Sequence, residues 1–190
     1  MPAGVAKECV AMYDMFLMHG AGPSEAKAKV TELFSPPRVT AHRSFAASLN
    51  LSGGSTFDLQ ADRYGNKWDF TKESDRRRCR KQIAREKPYV VIGSPPCTMF
   101  SSLMTWNKSR MDPTRYARIM AEARVLLKFA VEIYDMQLRS GRHFLHEHPA
   151  GATSWKEEPI RRLAQRSGVN TAVAHMCQYG MAVSYTHLRA

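Results

Sequence analysis

Two short groups of residues in this chain have the types and spacing to do chemistry. The first is Gly93-Ser94-Pro95-Pro96-Cys97, which directly follows the apolar run Tyr89-Val90-Val91-Ile92. That run has the length and β-branched content of a buried strand. Glycine and two prolines cannot continue a ladder, so Cys97 is expected on a stiff loop at the strand's carboxyl end. Ligands of open α/β sheets bind at that edge. A free cysteine is more often a small packing residue. The double proline favours the nucleophile instead, because it restricts the backbone around one reactive side chain.

The second group is His146-Glu147-His148, closed by Pro149. A strand over His143–Glu147 delivers these side chains to its own carboxyl end. Glu147 lies 50 residues after Cys97, room for a loop and one long helix. A single β-α-β crossover of that length brings both residues to one edge of a parallel sheet. Three readings are open: a metal site, since residues i and i+2 of a strand share a face; a structural ion pair of Glu147 with an arginine; or a substrate-reading carboxylate.

The elements that must hold these groups alternate along the chain. Helices are expected over Lys7–Met18, Val39–Leu49, Lys72–Lys87, Asp112–Ser140 and Lys156–Ser167, with a short helix or turn capped by Ser24. Strands are expected over Val30–Phe34, Ser55–Leu59, Lys67–Phe70, Tyr89–Ile92, His143–Glu147 and Asn170–Met176, with Gly53-Gly54 turning the chain into the second. Pro113 favours a helix start there, and Gly141 a helix stop. Such alternation predicts a three-layer α/β domain with a mainly parallel sheet. An N-terminal helical extension, 1–29, precedes the domain, 30–182.

At 190 residues the chain suits one such domain. Its apolar runs fall well short of the ~20 residues that span a bilayer. Cys9, Cys79, Cys97 and Cys177 show no CxxC spacing, which argues against a zinc ribbon or disulfide framework and for an intracellular location, nucleus or cytoplasm undistinguished. The net charge of +11 favours nucleic acid or another polyanion as partner. The charged helix Lys72–Lys87 reads first as a solvated face.

Pro95-Pro96-Cys97-Thr98-Met99-Phe100-Ser101, with Glu147 closing the next strand, resembles the DNA cytosine-5 methyltransferases. Their hallmark is a strand ending in Pro-Pro-Cys, with Phe-Ser two residues on, and a following strand ending in Glu-Asn; His148 stands here in place of Asn. Glu32-Leu33-Phe34-Ser35 resembles the family's first strand, with Pro36 and Pro37 where glycines follow. Gln178-Tyr179-Gly180-Met181 is similar to its Tyr-Gly-Val segment.

The resemblance, over Val30–Met181, implies a Rossmann-like fold and S-adenosyl-L-methionine as cofactor. Phe34, Ser35, Asp58 and Asp69 would be its binding residues. Ser94, Pro95, Pro96, Phe100 and Ser101 would form the substrate loop, with Cys97 and Glu147 catalytic and DNA the partner. The implied chemistry is addition of the Cys97 thiolate to carbon 6 of a flipped-out cytosine, with Glu147 on ring nitrogen 3 and the exocyclic amine. Amino-methyltransferases share the Pro-Pro loop but follow it with an aromatic residue, where Cys97 stands.

Val183–Ala190 reads VSYTHLRA, which matches in order the translation of a transposase adapter used for sequencing libraries. These residues are excluded from the fold, which is expected to be incomplete at its carboxyl end and inactive in this form. Two further functions remain open: a non-catalytic nucleic-acid-binding domain of a mobile-element or viral polyprotein, and a metal-dependent hydrolase using the histidines.

Overall fold

The computed structural model describes residues 28–39, 41, 50–61 and 64–174. The helix expected over Lys7–Met18, the turn at Ser24, nearly all of Val39–Leu49, and Val183–Ala190 lie outside them. Within them the chain forms an α/β unit around a four-stranded, all-parallel sheet. The strands are β1 (Ala28–Leu33), β2 (Leu51–Phe57), β3 (Val90–Gly93) and β4 (His143–His146), in the order β2-β1-β3-β4. The helices are α1 (Glu73–Glu86), α2 (Ser102–Asn107), α3 (Pro113–Arg139) and α4 (Glu158–Ala164). The order and the crossovers are compatible with a Rossmann-like fold.

The register sets what each face carries. Thr31 pairs with Val91 and Leu33 with Gly93, and Val91 in turn pairs with Phe144. Leu33 and Val91 enter the main core with Cys79 and Ile83 of α1 and with Phe129, Ile133 and Tyr134 of α3. Both long helices therefore pack against one face. Val30, Leu51 and Val90 form a separate buried cluster. A third core joins Met99 and Phe100 of the cysteine loop to Leu127 of α3 and Ile160 of α4.

Two glycines are required by close approach. At Gly93 a Cβ would lie 2.9 Å from Cζ of Tyr134 and closer still to its hydroxyl. At Gly54 it would lie 2.7 Å from the Val30 carbonyl oxygen. Gly54 sits where β2 carries an extra residue against β1, between the pairs Val30–Gly53 and Glu32–Thr56. This corrects the expectation of a turn at Gly53-Gly54: the glycines lie inside β2, which begins at Leu51.

Two expected strands are absent among the described residues. Lys67–Phe70 is joined to the β2 end only through the Trp68 N–H and the Asp58 carbonyl, 2.9 Å apart. Trp68 and Phe70 instead turn inward against Phe57 and Phe129. Asn170–Ala174 joins no ladder, and Val173 is exposed. The helix α2 was not expected; Ser101 caps it, its Oγ accepting the Met104 N–H.

Gln137 is a buried polar residue of α3 with every group used. Its Nε2 donates to the carbonyls of Pro88 and His143, each at 3.0 Å, and its Oε1 accepts from Arg142 Nε at 2.9 Å. It thereby ties the helix end to the starts of β3 and β4.

Candidate functional site

Because β1 lies between β2 and β3, the loops that follow β1 and β3 diverge at the carboxyl edge. Such a switch point is where open α/β sheets take ligands. Three backbone bonds join the loops there. Phe34 N–H donates to the Phe57 carbonyl at 2.8 Å, Ser94 N–H to Leu33 at 3.2 Å, and Glu147 N–H to Gly93 at 3.0 Å. Every strand end is thus bonded to its neighbour. Phe34 adopts a φ of 61°, uncommon and strained for a bulky side chain. Its ring is held edge-on to Phe70, with centroids 5.1 Å apart.

The β3 loop carries a partly buried Cys97 between an exposed Pro96 and a single 3-10 turn over Thr98–Phe100. Phe100 is fully buried and anchors the loop. Ser101 Oγ donates to the Thr98 carbonyl at 2.8 Å while capping α2. Glu147, one residue past β4, is exposed at the same edge.

His148 joins the two groups. It is 8% exposed; its Nε2 lies 2.8 Å from the Pro95 carbonyl and its Nδ1 2.6 Å from Ser154 Oγ. A carbonyl only accepts, so the proton sits on Nε2. In the neutral ring Nδ1 then accepts the Ser154 hydroxyl proton. Burial pulls its pKa down, partly offset by the Pro95 bond and the Glu147 charge. Thr153 Oγ1 adds a bond to the Phe100 carbonyl at 3.2 Å. The segment after Glu147 therefore braces the cysteine loop from both ends.

His146 is held differently. Its Nδ1 lies 3.1 Å from the Tyr134 hydroxyl, and its buried Nε2 has no hydrogen-bond partner. Burial, and then the neighbouring His148, push its pKa down to about 3. With Nδ1 of His146 and both nitrogens of His148 engaged, the pair does not offer two lone pairs to a shared metal. Among the described residues no cluster of three or more His, Cys, Asp or Glu is arranged to hold an ion.

Four of the remaining expected residues meet at one small cavity of about 90 Å3, lined by Phe34, Asp58, Asp69, Phe70, Pro96 and Leu126 among others. Asp58 Oδ1 accepts the Gln60 N–H at 2.8 Å. Asp69 Oδ1 accepts the Thr71 hydroxyl at 2.6 Å and N–H at 3.1 Å, and the hydroxyl bond foremost holds its carboxyl below the usual range. Ser35 faces away, its Oγ donating to the Pro36 carbonyl at 2.8 Å and lying 3.5 Å from Glu32.

Glu32 and His148 are the residues that sequence reasoning missed as organisers. Glu32 is buried, and its carboxylate oxygens accept the Arg38 N–H at 3.0 and 3.1 Å. Its signal was weak: an acid beside Leu33 in a strand, Ala28–Leu33, that also carries Lys29 and Thr31. No family model matches this chain, and neither the curated proteins nor the solved structures yield a match.

Proposed function

We propose that this chain is a divergent DNA cytosine-5 methyltransferase domain of Rossmann-like, three-layer α/β type, acting inside the cell. The observation that carries the reading is the bonding of the Cys97 loop to the Glu147 segment, through Glu147 N–H to Gly93 and His148 to Pro95. A nucleophile and a carboxyl group held at one edge suit addition to a ring, with the protonated carboxyl donating to the ring nitrogen as negative charge builds.

The residues lining the cavity beside Pro96 are of the types that would meet the adenosine half of S-adenosyl-L-methionine, with aromatic walls for the base and Asp58 and Asp69 for hydroxyl groups, but its volume of about 90 Å3 must widen to admit that group. The β1 loop fits its charged half less well. Pro36 and Pro37 have no N–H to donate, and the Arg38 N–H is already taken by Glu32. When bound, the cofactor supplies an electrophilic methyl group. In the proposed reaction the Cys97 thiolate forms a bond to carbon 6 of cytosine, and the ring's electron pair moves to carbon 5. Glu147 hydrogen-bonds nitrogen 3 and the exocyclic amine as negative charge builds there. Once carbon 5 carries the methyl group, its proton passes to a solvent water acting as base, the freed pair re-forms the carbon 5–carbon 6 double bond, and the carbon–sulfur bond breaks to return the thiolate.

The test is transfer of a labelled methyl group into duplex DNA by the full-length protein. Transfer lost in Cys97→Ser is the expected result; no transfer by the unaltered protein contradicts the reading. The proline-blocked β1 loop favours a second reading, a nucleic-acid-binding domain without methyl transfer. Its signature is DNA binding that S-adenosyl-L-methionine leaves unchanged.

A further inference from the structure

A large concavity lies away from the cysteine edge, between α2 with its following 3-10 turn and α3. It encloses about 840 Å3. Its floor is apolar, including Ala117, Met120 and Val125, and its walls carry Lys108, Arg124 and Lys128. Arg124 is neutralised by Glu157, at 2.9 Å. Lys108 and Lys128 are exposed and enter no ion pair among the described residues. Lys108 instead sits over the Tyr116 ring, 5.3 Å from its centre. Leu103 and Trp106 do not line the groove, but they stand out from the same helix as the groove-lining Thr105, 63% and 74% exposed. An apolar floor, unneutralised cations and an exposed indole on a chain of net charge +11 match the way proteins hold unpaired nucleic acid.

We propose that the α2–α3 groove binds a single strand of nucleic acid, with phosphates on Lys108 and Lys128 and an unpaired base stacked on Trp106. The inference rests on the nucleic-acid part of the reading above and is independent of methyl transfer. A single strand is favoured over a duplex because an exposed indole stacks most readily on a base free of its partner. The two lysines follow the phosphodiester chain without reading its sequence. α2 begins five residues after Cys97, so a strand lying here runs toward the cysteine loop.

The test is fluorescence anisotropy with the full chain and a labelled, mixed-sequence DNA single strand, against the same strand annealed to its complement. Lys108→Glu with Lys128→Glu is expected to weaken single-strand binding about tenfold and to reduce the salt slope by about 1.4. Arg77→Glu with Lys81→Glu, an equal charge change on the exposed face of α1, is the control and should cost about threefold or less. Trp106→Ala is expected to weaken binding about fivefold. Equal losses from both charge pairs, no effect of Trp106→Ala, or tighter binding of the duplex would each overturn the proposal. An acidic peptide that competes while Trp106→Ala changes nothing also counts against it. Groove variants that behave as stated in a protein that never methylates DNA would sink the methyltransferase reading and leave this one standing.

Discussion

The Pro95 carbonyl lies just beyond the β3 ladder, and the ring of His148 supplies its donor. Replacing His148 by Ala removes that donor, empties a buried site and strands the Ser154 hydroxyl. The expected cost is about 2–4 kcal/mol, with faster alkylation of Cys97 read by peptide mass spectrometry. Gln places a nitrogen close to the position of Nε2, so His148→Gln should recover most of the protection. An unchanged Cys97 rate in His148→Ala would show that the bond does not restrain the loop. His146 adds a pH dependence. Its folded pKa of about 3 lies below the ordinary 6.5, so the unfolded chain takes up the proton first. Stability from this residue is full above pH 6.5 and falls as pH drops toward 3, by at most about 1.4 kcal/mol per pH unit. Melting temperatures between pH 7 and 5 should fall for the natural chain and less steeply for His146→Phe.

Among the elements, those with strong end signals were legible. Asp112 caps α3, its Oδ1 accepting the Arg115 N–H at 2.7 Å, and Pro113 fills the first turn, so the helix runs almost as read. β3 was marked by an apolar run ending in a proline-bearing loop, and β4 by Gly141 before it and Pro149 after it. Elements that depend on distant partners were not legible. Gly53-Gly54 has a turn's composition, yet the need for β1 to approach β2 closely makes it part of a strand. Trp68 and Phe70 alternate like strand residues, but aromatic packing on Phe57 and Phe129 takes them into the core. Nor could the sequence show that Gln137 would bind two carbonyls of other elements. Gly93 now carries a specific expectation. Gly93→Ala drives a methyl group into Tyr134, and the overpacking should cost about 1–3 kcal/mol. A denaturation midpoint unchanged from the natural chain would mean that Tyr134 can move aside.

For the molecule as a whole, the order β2-β1-β3-β4 puts the switch point between Phe34 and the Ser94-Pro95-Pro96-Cys97 loop. The expected cofactor and nucleophile residues thereby converge on one edge, although they are spread from Phe34 to Glu147 in the chain. The expected pairing of Cys97 with Glu147 on that edge followed from crossover length; the brace that fixes it, His148 to Pro95, did not. No helix among the described residues is long and apolar enough to cross a membrane. The central claim is that Cys97 attacks carbon 6 of cytosine, and trapping that bond tests it most directly. The full-length protein is incubated with S-adenosyl-L-methionine and duplex DNA containing 5-fluorocytosine. The fluorine cannot leave as the proton does, so a denaturation-resistant adduct mapped to Cys97 and lost in Cys97→Ser is expected. No adduct, or one that persists without the Cys97 sulfur, would contradict the account.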